Sequence, residues 1–321
     1  MGHSNQLSVW RASFLPLAAL LLGGSAPAVD RAADVRSSRT EAIQDCRAPI
    51  GWEVVTALKP RFVVFGEIHG TDEAPAFLGN LACALVEQGE RILVAVEHSS
   101  TQDQAFQRAW RLPTDQFPQA LKQSGWEDRD DGVGSQAMLA LLVRLHQLSR
   151  WGGAIDIVAF NGVKDEAQSR RLAHLPGQGS HDAAQAENIR SAAAAHPYDH
   201  VLVLVGNAHA SKRPVEHAGT TFEPMAMQLA ARAPVVTLNM QTAGGTSWSC
   251  QLKDGVKASA GRPLKPNDIA CGSYPLHRDA DLRLAPFIAI GALPGSDIDP
   301  GYDGIFWLGT VSASPPAYTK R

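Results

Sequence analysis

The chain has 321 residues, of which 45% are hydrophobic and 19% charged, and its formal net charge is −3. That is an ordinary globular composition, long enough for one large domain with a sizeable core. There is no basic block and no interleaving of basic with aromatic residues, which excludes nucleic acid as an expected partner.

The first 28 residues read as an export signal: Arg11 precedes the apolar run FLPLAALLL, and APA at 26–28 supplies the small residues of a cleavage site. The run is shorter than the roughly 20 apolar residues of a spanning helix. No later segment is long and apolar enough, so the mature chain is expected to carry no integral membrane segment and to be periplasmic or secreted. Residues 29–45 read as a linker and 46–310 as a single domain.

From residue 46 short apolar runs alternate with helical patterns. RFVVFG at 61–66 reads as a buried strand, and Phe77, Leu78, Leu81 and Leu85 recur at helical spacing until Gly89. RILVAVE at 91–97 is a second strand, followed by a helix starting near Ser100 and Asp103, which have capping-box spacing. The amphipathic stretch at 137–151 predicts a helix, AIDIVAFNG at 154–162 a third strand, and the Ala-rich stretch at 181–196 a helix. HVLVLVGNAH at 200–209 is a fourth strand, and VVTLNM at 235–240 a fifth, after a helix around EPMAMQLAAR.

Continuous apolar strands separated by helices predict an α/β fold, with a mostly parallel central sheet and helices on both faces. Residues 244–304, rich in Gly, Pro, Asp and Ser, read as a disulfide-stapled excursion that returns through GIFWLG at 304–309, an edge-strand candidate. Residues 311–321 read as a disordered tail. Cys46, Cys83, Cys250 and Cys271 are an even set suited to an oxidising compartment. Of the three possible pairings, proximity favours Cys250 with Cys271 and, by elimination, Cys46 with Cys83; spacing alone does not settle connectivity.

Ligands of an open parallel sheet bind outside the carboxyl ends of its strands. The residues there are Glu67 and His69 after the first strand, Glu97 and His98 after the second, Asn161 after the third, Asn207 and His209 after the fourth. Gly66 and Gly206 open two matching G-x-x-H segments, GEIH and GNAH, and permit close approach where the chain leaves the sheet. Thr71 is placed to cap the next helix, with Asp72 and Glu73 in its first turn, where acidic side chains suit the dipole. Imidazoles with carboxylates are the parts of a divalent-metal centre, with His69, His209 and Glu97 as ligands of Mn, Co or Zn. The same parts work without metal as a general base and its orienting group. His98 neighbours Glu97 and would face away from it, and the remaining histidines, His181 among them, read as surface or cap residues. No G-x-S-x-G, H-E-x-x-H, P-loop or G-x-G-x-x-G occurs, which argues against serine hydrolases, nucleotide enzymes and Rossmann dehydrogenases.

GEIHGTDE with GNAHA resembles the superfamily of erythromycin-esterase-like proteins, ChaN-like haem-binding uptake proteins and Tiki/TraB proteases, over roughly residues 60–240. VAVEHSSTQDQAF and HDAAQAENI are similar to the ChaN-like pattern in particular. The resemblance implies an α/β fold with Gly66, Glu67, His69, Glu97, Gly206 and His209 at the pocket. It implies a hydrolase of ester or amide bonds, or else a haem or tetrapyrrole carrier. The chain departs from the carriers in lacking an anchoring cysteine after the signal, and Tyr198, Tyr274, Tyr302 and Tyr318 lie outside the motifs. The expected function is an exported hydrolase, metal-assisted, acting on a small-molecule or peptide substrate. Catalysis would fall to Glu67, His69, Glu97 and His209, and binding to Gly66, Glu73, Asn161, Gly206 and Asn207.

Overall fold

The computed structural model describes residues 46–127, 129–217, 219–256, 266–292 and 299–318. The export-signal and linker readings, residues 1–45, lie outside the described residues. The chain opens with α1 (Trp52–Ala57), β1 (Phe62–Glu67), α2 (Glu73–Glu87), β2 (Ile92–Ser99), α3 (Asp103–Trp110) and α4 (Phe117–Leu121). It continues with α5 (Gln136–Arg150), β3 (Ile155–Asn161), α6 (Glu166–Leu172), α7 (Gly179–Ala193), β4 (His200–Gly206) and the short α8 (Asn207–Ala210). The hairpin β5 (Val215–His217) and β6 (Thr220–Phe222) precedes α9 (Met225–Ala230) and β7 (Val235–Gln241). Last come β8 (Ala243–Leu252), β9 (Ile269–Arg278), β10 (Phe287–Ile290) and β11 (Gly304–Trp307).

Seven strands form one sheet in the order β10-β11-β7-β1-β4-β2-β3. Its neighbours are parallel except β10 and β11. The strands fall on the apolar runs because a strand covered on both faces has no polar side to alternate with. Every residue of β1 is buried, as is β4 from Val201 to Val205. On one face Val63, Phe65, Val94 and Leu204 share a core with Leu78 and Leu81 of α2 and Leu142 and Leu145 of α5. On the other, Val64, Ala95 and Val203 pack with Ala186 and Ile189 of α7 and Leu229 of α9. The expected α/β architecture is the observed one.

Two readings of the C-terminal region need correction. β11 is interior rather than an edge, because β10, inside the expected excursion, pairs antiparallel along it. Residues 311–318 are not a disordered tail but a strap. Val311 bridges to Gly245, Ala313 to Thr71 and Pro316 to Ser135, while Gln136 N–H donates to the Pro315 carbonyl. Composition read this segment as polar and Pro-rich; its backbone is satisfied by partners far away in sequence. Residues 319–321 lie outside the described residues.

Two helix-start readings also differ. Thr71 is fully buried and its hydroxyl caps nothing, whereas Ser100 donates its hydroxyl to the Gly162 carbonyl. Asp103 accepts from Ala159 N–H on the sheet-edge strand β3, and Gln107 donates to Ile157 O there. The α3 side chains thus close the open edge of β3 instead of capping their own helix.

β8 and β9 form a hairpin of their own, in which Cys250 faces Cys271 across the ladder and is bridged to it. Cys83, buried on α2, is bridged to Cys46 and pins the start of the described chain to that helix. Both bridges agree with the pairing that proximity favours. The first closes a loop with a sequence separation of 21, for which the chain-entropy account gives about 3 kcal/mol. The prediction is that thiol labelling of unfolded, non-reduced protein finds no reactive cysteine; two or more labelled cysteines would contradict it.

Candidate active site

β4 lies between β1 and β2, so the C-terminal ends of three adjacent strands deliver the polar residues to one place. Glu67 ends β1, Gly206 ends β4 opposite it in register, and Glu97 leaves β2 where its pairing with β3 shifts register between Val96 and Ser99. Such a bulge re-aims side chains. Glu97 turns toward β4 and accepts from Gly206 N–H at 2.7 Å. His98 goes the other way and is buried, with its ring against Trp126 and Nε2 2.8 Å from the Ser124 carbonyl. Burial pushes its pKa down to about 4, so it is a core histidine.

The two glycines have different steric reasons. A Cβ on Gly66 would stand 2.7 Å from the Ala210 Cβ and 3.1 Å from the Asn207 Cα, so Gly66 lets α8 lie against β1. A Cβ on Gly206 would stand 2.9 Å from His69 Nε2 and 3.6 Å from Glu97 Oε2. Gly206 therefore keeps clear the space in which those side chains meet.

Around that space stand two carboxylate-backed imidazoles. His69 Nδ1 is 2.9 Å from Glu67 Oε1 and its Nε2 is 3.2 Å from Glu97 Oε2. His209 Nδ1 is 2.7 Å from Asp182 Oδ1, and its Nε2 is 3.9 Å from Glu97 Oε1. Both imidazoles thus turn Nε2 toward one shared carboxylate. Glu67 and Asp182 are almost entirely buried, at 3% and 0% exposure, while the His69 and His209 side chains keep 28% and 21%.

The electrostatics follow from this packing. Burial works against charge on His69, but the charge of Glu97 and hydrogen bonds to Glu67 and Glu97 outweigh it and hold its pKa well above the ordinary value. His209 is raised in the same way: burial opposes, while the Asp182 hydrogen bond and Glu97 prevail. Glu97 is also penalised by burial, yet the neighbouring His69 charge brings it down to about 2. Glu67 is raised, chiefly by burial. Groups this close titrate as a set.

Glu67, His69, Glu97, Gly66, Gly206 and His209 come together as expected. Asn161 joins indirectly, its Oδ1 accepting from the Gln185 amide at 2.8 Å. Asn207 contributes backbone, its carbonyl accepting from the Tyr302 hydroxyl. Glu73 does not belong to the site: its carboxylate accepts from Ser312 N–H and fastens the C-terminal strap. Asp182 and His181 were missed by sequence reasoning. The readable signal was a carboxylate on the apolar stripe of a helix, since Asp182, Ala186, Ile189 and Ala193 fall at i, i+4, i+7 and i+11 and all are buried.

The expected metal ligands face one another in the structure. His69, His209 and Glu97 are paired with one another, both nitrogens of His69 face carboxylates, and Asp182 takes Nδ1 of His209. Among the described residues no group of three or more His, Cys, Asp or Glu side chains is arranged to hold a metal ion. A cavity of about 540 Å³ is lined by Ser100, Gln104, Arg111, Lys164 and Asn188 among others, but by none of Glu67, His69, Glu97, Asp182 and His209.

The two glycines give a paired prediction. Gly66→Ala should lower stability by about 1–3 kcal/mol, the cost of an overpacked core, whereas Gly206→Ala should disturb the His69 and Glu97 resonances with little change in melting temperature. Equal destabilisation by both would contradict this division. Glu97 supplies the acid limb: a carboxylate held at about 2 adds stability that is complete above its ordinary 4.5 and is lost as pH falls toward 2. Glu97→Gln should remove that part of the acid unfolding profile; an unchanged profile would contradict it.

No protein-family model matches the chain, and no curated protein matches it in sequence. Solved structures do match. A succinoglycan biosynthesis protein superposes with a TM-score of 0.55 at 11% identity, over 88% of this chain and 99% of that one. A mutant of the erythromycin esterase EreC in its open conformation superposes with a TM-score of 0.53 at 14% identity, over 81% of this chain and 93% of that one. Haem-binding ChaN of Campylobacter jejuni overlaps at a TM-score of 0.35 and 16% identity, over 59% of this chain and 84% of that one, too loosely to carry weight. At these identities the likeness is one of fold. The chain shares its α/β fold with an erythromycin esterase, a branch of the superfamily that its paired G-x-x-H motifs resemble.

Proposed function

We propose that the chain is an exported hydrolase of ester or amide bonds that works through histidine and carboxylate groups without a metal. The observation that carries this reading is the pair of imidazoles, each backed by a buried carboxylate and each turning Nε2 to Glu97. A buried acid behind an imidazole fixes its tautomer and stabilises the ring when it takes up a proton, which is what a general base needs. His69, backed by Glu67, takes the proton of the attacking water. His209, backed by Asp182, returns a proton to the leaving group. Glu97 holds the two rings in register. Export is supported by the two disulfides, which persist in oxidising compartments.

The pH dependence follows with its sign. A base acts only when unprotonated, and His69 is raised well above 6.5. kcat/KM should therefore rise with pH above that value; a profile flat from about pH 5 to 9 would contradict a titrating base. In a panel of ester and peptide substrates, His69→Ala and His209→Ala should each remove about 10²-fold or more of kcat/KM. The double variant should be little worse than either, because groups acting as a unit lose activity non-additively. Turnover should persist in chelator and gain nothing from added Mn²⁺, Co²⁺ or Zn²⁺. Folded single variants with full activity would sink the reading. The haem-carrier alternative has its support in the motif resemblance, and a haem titration separates it: a Soret shift lost in His209→Ala would favour it, and an unchanged free-haem spectrum would reject it.

A further inference from the structure

His181 stands in the first turn of α7 beside Asp182, its ring centroid 5.7 Å from that of His209, yet it takes no part in the carboxylate pairing. Its Nε2 lies 3.1 Å from the amide nitrogen of Gln185, and that nitrogen also donates to Asn161 Oδ1 at 2.8 Å. Gln185 is fully buried and its Oε1 has no partner among the described residues. An amide nitrogen carries two donors and no acceptor, so both are used here if His181 Nε2 is unprotonated. Turning the amide over would set Oε1 against Asn161 and His181 and leave two buried N–H groups unpaired instead of one carbonyl oxygen. Orphaned N–H groups are the rarer and costlier outcome. The ring proton of His181 is thereby assigned to Nδ1.

No described residue accepts a hydrogen bond from that Nδ1–H. Gly162 lies against this edge of the ring: its φ of +73° suits glycine, and a Cβ there would crowd Nδ1 and Cε1, at 3.1 Å from each. Burial and the neighbouring His209 charge lower the His181 pKa against the pull of Asp182 and Glu97. These are the features of a hydrogen-bond donor held for something other than the protein.

On the hydrolytic reading above, we propose that His181 is the neutral donor of this site, its Nδ1–H holding the carbonyl oxygen of an acyl substrate, ester or amide. As the water oxygen bonds to the carbonyl carbon, the C=O π pair moves onto that oxygen and the water proton passes to His69. His181 keeps its own proton throughout. A neutral imidazole suits the task because it donates strongly without giving the proton away.

Two measurements on the full chain test this. Nitrogen-15 spectra of the imidazoles at neutral pH should report His181 as the Nδ1–H tautomer. With the best ester of the substrate panel, His181→Ala should lower kcat by about 10²–10³-fold, the loss typical of one missing oxyanion donor, with KM changed far less. Melting curves report the folded fraction of each variant. An Nε2–H tautomer in the unmodified chain, or folded His181→Ala with kcat within about twofold while His69→Ala is dead, would overturn this proposal alone. Absence of turnover in the unmodified chain, or a fully active His69→Ala, would overturn the hydrolytic reading and this proposal with it.

Discussion

A carboxylate buried at a strand end must be met by donors and positive charge, or it takes up a proton instead. Glu97 is such a group, 7% exposed, and the candidate site is arranged around satisfying it. Gly206 N–H and His69 meet one oxygen, and His209 faces the other. Each imidazole that serves Glu97 has its own buried acid behind it. Three acids and two imidazoles brought together in this way are mutually supporting, and removing any one member leaves another unpaired.

The rest of the fold serves that arrangement at a distance. Insertion of β4 between β1 and β2 sets Glu67, Gly206 and Glu97 on neighbouring strand ends. Asp182 reaches the site because the apolar face of α7 packs on the sheet, and its Oδ1 also accepts from Met225 N–H at the start of α9. The loop after His69 is clamped from outside. The Gly70 carbonyl accepts from Trp248 N–H of the hairpin and from Ser314 N–H of the strap, while Asp72 N–H donates to Ser312 O. The disulfide-bridged hairpin and the C-terminal strap therefore hold the chain next to His69.

The sheet was legible because its strands are buried on both faces and read as unbroken apolar runs. Glu67, His69, Glu97 and His209 were legible because each follows such a run, where an open parallel sheet places its ligands. What could not be read had no local signature. The strap is stabilised by partners such as Gly70 and Ser135, which lie far from it in sequence. Asp182 was hidden in an Ala-rich helix that was read by propensity rather than by face. Glu73 was ambiguous because a first-turn acid looks the same whether it serves a dipole, a ligand or, as here, the Ser312 N–H of a distant segment.

The central claim is that a single carboxylate organises two histidines into one hydrolytic centre that needs no metal. The most direct measurement is kcat/KM of Glu97→Gln against the unmodified chain, in chelator, on the best ester substrate. The expected result is a loss of about 10²-fold or more with the fold retained. A folded Glu97→Gln variant with undiminished kcat/KM, or activity in the unmodified chain that vanishes in chelator, would contradict it.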